Sequence, residues 1–340
     1  MRKRRCRSSC SIKEGGWDAT AVFHTERSCR CSKMNWLGAV LAVCVLVPSA
    51  RCATSTIDWC YHKPSCNDTT WPTIVGQYCN GSRQSPINIV SASAQIDTNL
   101  TAFTMVNYDT HSLNTITNTG KTVKVSLNSG VSIKGGGLSE KYDSLQFHLH
   151  WGNGSSVPGS EHTVNGKRYP MELHIVHVKS IYGGNTGQAV GDSTGLAALG
   201  FLIEEMPGNA TGQPAAWNIL SSYLSKIRNS GSSVPVTANI SMNDLIPGVN
   251  TTKYYRYRGS LTTPSCNEAV VWTVFKDTVK VSKDVIDKFS QIVYVTNSTS
   301  PLIVNNYRNI QPALSVTTSS TAKTCYSLGL MALTILLGRF

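Results

Sequence analysis

Long apolar runs are missing from this 340-residue chain. The two best candidates, residues 36–47 and 328–337, fall well short of the roughly 20 apolar residues that a bilayer-spanning helix requires, so neither reads as a transmembrane segment. Helical periodicity is also scarce. Trp217, Leu220, Leu224 and Ile227 recur at three- and four-residue spacing, and Ser282 stands where it can cap a helix through Ile286, Phe289 and Val293. There is no internal repeat and no long linker. The cluster Gly135-Gly136-Gly137 lacks the following helix that a phosphate cradle needs, so it reads only as a sharp turn.

Spread-out positive charge is lacking too. The formal charge of +12 suggests nucleic acid, but residues 1–33 carry nine Lys and Arg against three Asp and Glu, which is +6. Residues 54–319 carry nineteen basic and sixteen acidic residues, a net of +3, so no nucleic-acid partner is expected. The apolar run 36–47, followed by small residues at 50–53, fits a secretory signal peptide over 34–53 with Met34 as the working start. Residues 1–33 are then an N-terminal extension. Of eleven cysteines, six fall in the extension and signal and Cys325 in the C-terminal tail. Cys60, Cys66, Cys79 and Cys266 remain, an even set that an oxidising compartment would join as two disulfides in one of three connectivities. Eight Asn-x-Ser/Thr triplets, from Asn67 to Asn297, agree with passage through the secretory pathway. Small polar residues at 317–321, a short spacer and the apolar run 328–337 read as a glycosylphosphatidylinositol attachment signal spanning 315–340.

What is present is mostly strand. Short β-like runs cover 102–108, 113–118, 122–127 and 131–134, separated by Asn, Gly, Ser and Asp turn residues, and 196–203 and 269–275 are apolar enough for buried strands. Residues 71–84 read as irregular chain. Two further strands carry chemistry. Alternation along 146–151 puts Gln146, His148 and His150 on one face and Phe147, Leu149 and Trp151 on the other. In 171–178, Glu172, His174 and Val176 share a face, while His177 points the other way and reads as a satisfied core histidine. Three imidazoles suit zinc, and a zinc with three protein ligands keeps its fourth position for water, which marks a catalytic rather than a structural site. Glu172 can accept the second N–H of His174, and Gln146 can do the same for His148.

Five ordered blocks carry a resemblance to the α-carbonic anhydrases: residues 84–89 (QSPINI), 147–152 (FHLHWG), 160–164 (SEHTV), 172–174 (ELH) and 259–264 (GSLTTP). Within that family the chain resembles the membrane-anchored, extracellular carbonic anhydrase IV type. The resemblance implies a β-dominated α+β fold, a single domain over 54–314 around a large, twisted, mostly antiparallel central sheet with short peripheral helices. It implies Zn2+ on His148, His150 and His174, and reversible hydration of carbon dioxide to bicarbonate and a proton at the outer cell surface. Zinc acidifies its bound water enough to supply hydroxide near neutral pH, behaviour for which this family is the type example.

By the same resemblance Thr262 accepts a hydrogen bond from the nucleophile and donates its own proton to Glu161, while Thr262 N–H and Thr263 hold substrate oxygens. Val176, Ala198, Leu261, Val270 and Trp272 form the apolar carbon dioxide pocket, with Ala198 where a valine is common. The disulfide pairs implied are Cys60–Cys66 and Cys79–Cys266. Bicarbonate transporters are implied as partners. One departure stands out: Gly120-Lys121-Thr122-Val123 aligns Lys121 with the histidine that usually relays protons, with His62 or His111 as substitutes from elsewhere. A lysine is already protonated at neutral pH and accepts poorly, which implies a rate limited by proton transfer. A catalytically silent surface-binding module is the alternative reading, and retention of all three histidines, Glu161 and Thr262 favours the enzyme.

Overall fold

The computed structural model describes residues 58–75 and 78–320. The stretches read as an extension (1–33), a signal peptide (34–53) and an apolar tail (328–337) lie outside the described residues. Thirteen strands join in one sheet: β1 Gln95–Asp97, β2 Phe103–Val106, β3 Leu113–Asn118, β4 Val123–Leu127, β5 Ser132–Gly135, β6 Tyr142–Trp151, β7 Met171–Lys179, β8 Leu196–Glu205, β9 Ser233–Pro235, β10 Tyr254–Gly259, β11 Val270–Phe275, β12 Val279–Val281 and β13 Thr317–Ser319. Their main spatial order is β9-β3-β4-β6-β7-β8-β11-β10-β13-β1. Pairing is mostly antiparallel, with parallel contacts of β8 to β11 and β12 and of β13 to β1. A small second sheet joins Asn88–Ile89, Thr163–Val164 and Lys167–Arg168.

The middle strands are buried almost along their whole length because both faces of the sheet are covered. On one face Phe147, Leu149, Leu173, Leu199 and Phe201 join Trp217, Leu220 and Phe289 in the main core. Those last three come from the helices Ala215–Ser222 and Lys283–Ile292, the two segments with helical spacing. Burying each such side chain contributes about 1.5–3 kcal/mol. Ser282 does occupy the N-cap, but its hydroxyl donates to Asp284 Oδ1 at 2.7 Å and accepts from the Gln213 N–H at 3.0 Å, so it braces a loop instead of capping.

Three features differ from expectation. Trp71–Ile74 is a single helical turn within the stretch read as irregular, with Trp71 fully buried and its indole N–H donated to Cys66 C=O at 3.0 Å. Tyr254–Gly259 is a central strand that the sequence reading does not include, although its Tyr/Arg alternation carries the period-two signal. The sheet also continues beyond residue 314: β13 pairs with Tyr255 and Arg256 on one side and with β1 on the other, and Ser319 is buried. Those pairings satisfy backbone groups of a segment that composition alone marks as the small polar part of an attachment signal.

Both disulfides form, Cys60–Cys66 and Cys79–Cys266. The second spans 187 residues and contributes about 5 kcal/mol in the chain-entropy picture. Cys266 N–H also donates to Thr263 C=O at 2.8 Å, which fastens the turn carrying Thr262 and Thr263. Among the described residues no helix is long and apolar enough to cross a membrane.

Candidate active site

Antiparallel register sets the site. β6 and β7 pair so that His174 lies opposite His148 and Glu172 opposite His150, which brings three imidazoles from two strands to one face. Their ring centroids are 4.6–5.3 Å apart. Each ring is fixed from outside: Gln146 Oε1 lies 3.1 Å from His148 Nδ1, Asn306 C=O 2.7 Å from His150 Nδ1, and Glu172 Oε1 2.8 Å from His174 Nε2. The remaining nitrogens face inward, and one ligand atom from each ring lies within 4.8 Å of the others. Buried His150 Nε2 and His174 Nδ1 have no hydrogen-bond partner among the described residues. Unpaired buried nitrogens are costly, and three convergent imidazole donors match the preference of Zn2+, so this donor set fits the metal.

The electrostatics agree. Burial, reinforced by the neighbouring rings and Lys124, holds the His148 pKa well below the usual histidine value, and burial also lowers His150. At His174 burial acts downward, but the charge and hydrogen bond of Glu172, with Glu161 behind them, carry the pKa up. Glu172 is itself held well below the carboxylate range: burial opposes ionisation, and the His162 and His174 rings overcome it. Space for this buried carboxylate comes from Gly200, directly opposite His174 on β8, where a Cβ would approach Glu172 Oε1 to 3.0 Å.

Glu161 is fully buried behind the rings. Its Oε2 lies 3.4 Å from His150 Nε2 and 3.8 Å from His174 Nδ1 and has no hydrogen-bond partner among the described residues, while Oε1 accepts the Arg308 N–H at 2.8 Å. The hydrogen bond from Thr262 to Glu161 that the resemblance implies is therefore not formed here. Thr262 and Thr263 line a cleft of about 40 Å³ with His148, His174, Val176, Ala198, Leu261, Val270 and Trp272, so the anticipated wall residues stand together. Trp272 is fixed by donating its indole N–H to Ser260 C=O at 2.9 Å.

Lys121 is placed differently from a free relay group. Its ammonium pairs with Asp58 at 3.0 Å and sits 5.1 Å from the Trp59 ring centre. Its carbonyl accepts from Asn306 Nδ2 at 3.0 Å, which links it to the residue that orients His150. His62 lines the same small cavity as Lys121, and burial with the charges of Lys63 and Lys121 lowers its pKa. His177, by contrast, is fully buried on the core side, between Tyr108 Oη at 2.8 Å and Ala197 C=O at 3.1 Å.

Four supporting residues escape the sequence reading. His162 donates its backbone N–H to Glu172 Oε2 and pairs its Nδ1 with Oε1, both at 2.7 Å, and its Nε2 meets Tyr257 Oη at 2.6 Å. Buried Arg308 reaches Gln84 Oε1, Ser85 C=O and Cys79 C=O, tying residues 84–89 to Glu161. Asn306 acts through a carbonyl that any residue would have. For His162 a signal exists, since it adjoins Glu161 in a recognised block.

A face with three inward imidazoles, a buried carboxylate and an apolar cleft defines a zinc-dependent hydrolytic or hydrating enzyme. The pattern of the eukaryotic-type carbonic anhydrases matches residues 66–318. Carbonic anhydrase 4 of Oryctolagus cuniculus is 38% identical over 282 residues, covering 82% of this chain and 88% of the relative. Carbonic anhydrase 12 of Homo sapiens is 35% identical over 302 residues (86% and 82%), and carbonic anhydrase 6 of Bos taurus 37% over 259 residues (75% and 77%). The chain belongs to the eukaryotic-type carbonic anhydrase family, and it is a zinc-dependent enzyme acting on carbon dioxide and bicarbonate.

Proposed function

We propose that this carbonic anhydrase works at the outer cell surface, held by a glycosylphosphatidylinositol anchor, and that proton export limits its rate. The convergence of the three inward nitrogens of His148, His150 and His174 carries the catalytic part of this reading. Zinc held there would supply Lewis acidity and an ionised water near neutral pH. Val176, Ala198, Leu261, Val270 and Trp272 give carbon dioxide an apolar surface, and Thr262 N–H and Thr263 hold the oxygens of bicarbonate. Glu161 Oε2, a buried oxygen without a donor among the described residues, is the acceptor that this reading assigns to the Thr262 hydroxyl, a bond the structure does not itself contain.

An ammonium has three donors and no acceptor for a proton from the site, and that of Lys121 is engaged by Asp58 and the Trp59 ring. Stopped-flow hydration across a buffer series tests the point. The maximal rate should rise with buffer concentration and with Lys121→His, and a rate indifferent to both would remove the proposal. His62→Ala in the same series shows whether His62 carries the residual flux.

The disulfides and sequons support an extracellular location, and the apolar run 328–337 supports the anchor. Because β13 is part of the sheet, attachment falls after Ser319. Phosphatidylinositol-specific phospholipase C should release active enzyme from intact cells; resistant protein that retains residues 328–337 by mass spectrometry would refute the anchor. Bicarbonate transporters remain the partners proposed by family analogy.

A further inference from the structure

The catalytic reading leaves unused a cleft of about 330 Å³ lined by Arg256, Arg258, Tyr142, Ser139, Ser315 and Asp97, with Gly137 at its edge. It lies behind the sheet relative to zinc. Trp272 packs on His174 with ring centres 4.7 Å apart, so the next residue of β11, Thr273, faces the other side, and Arg256 donates to the Thr273 hydroxyl from the neighbouring strand.

Arg256 is 8% exposed, yet among the described residues no carboxylate pairs with it. Its Nε and Nη2 bond Thr273 Oγ1 at 3.2 and 3.0 Å, and Nη2 also donates to Gly136 C=O at 2.7 Å. Phe103 and Tyr254 rings flank the guanidinium at 5.9 and 5.6 Å. Nη1 donates to no group among the described residues, and it lies beside Gly137, where a Cβ would come within 3.5 Å of it. The triple-glycine turn closes over both Phe103 and Arg256, and it can do so only with glycine, because a Cβ at Gly136 would strike the Phe103 ring. Arg258, two residues on and on the same face, is exposed and also without an ion pair among the described residues. Asp97 is the one carboxylate in the lining, and its Oδ1 accepts the Asn99 N–H at 2.9 Å.

A buried, fixed guanidinium with a free Nη1, opening into a cleft beside a second arginine, is a cation arranged before its partner arrives. We propose that this cleft binds a small oxyanion, a phosphate or carboxylate group, between Arg256 Nη1 and Arg258. The guanidinium fork suits either group, and the cleft volume leaves room for a compact organic body behind it. Asp97 opposes the anion and sets a selective limit on its charge.

The test uses zinc-loaded protein expressed from the full chain. Inorganic phosphate, and in parallel acetate, is titrated at constant ionic strength while backbone amides are followed by NMR. Saturable shifts at Gly137, Ser139, Arg258 and Ser315 are expected, and the tighter of the two probes assigns the class. Arg258→Gln, an exposed change that spares the core, should weaken binding about tenfold. Asp97→Asn should tighten it, and both should leave carbon dioxide hydration unchanged. Shifts that never saturate, that are confined to the Thr262 cleft, or that are equal in all three proteins would overturn the site.

Discussion

His174 and His177 stand three positions apart on one strand, both fully buried, and they have opposite fates. A register shift between Val176 and His177 separates the two stretches. Before it, His174 gives its outer nitrogen to a carboxylate and leaves its inner one unpaired; after it, His177 has both nitrogens satisfied, by Tyr108 and the Ala197 carbonyl. A carbonyl only accepts, so His177 Nδ1 carries the proton and Nε2 accepts from the tyrosine hydroxyl. Burial is the same in both places. The difference teaches that it is the unpaired nitrogen, and not the buried imidazole, that marks the metal site.

The largest effect that could break this contrast is loss of a ligand. His174→Ala should abolish zinc binding and hydration together, read as metal content by mass spectrometry and rate by stopped flow, because two nitrogens leave an incomplete site. Unchanged zinc content would remove His174 from the ligand set. Next in size, Glu172→Gln keeps the shape but loses the charge that orients His174, and competition against a chelator should show zinc affinity falling by about 10–100-fold.

The smallest effect concerns the other histidine. Burial lowers the His177 pKa to about 4, with hydrogen bonds to backbone opposing it. The unfolded chain therefore takes up the proton first, near pH 6.5, and the folded protein loses stability as pH falls from about 6.5 to about 4, by about 3 kcal/mol. His177→Phe should leave zinc content unchanged, cost about 1–3 kcal/mol at neutral pH by stranding the Tyr108 hydroxyl, and remove that part of the acid slope in denaturant unfolding. Equal slopes in both proteins would assign the acid sensitivity elsewhere.

Alternation alone determined much of this protein. It sorted His148, His150 and His174 from His177, put Gln146 and Glu172 beside the rings they hold, and located the chief strands and both longer helices, because side-chain direction along a strand or helix is a local property. The five blocks then placed Glu161 and Thr262 in the same site. Only the tertiary structure could show that the Asn306 carbonyl aims His150 and that the Arg308 backbone N–H holds Glu161, since backbone groups carry no residue signature and these contacts span 156 and 147 residues. The same holds for Asp58 on Lys121, 63 residues away, and for Arg256, whose unpaired guanidinium is invisible until the glycine turn closes over it. Sequence states which groups a chain can offer; the packed fold decides which of them are left without a partner, and at the zinc site those are His150 Nε2, His174 Nδ1 and Glu161 Oε2.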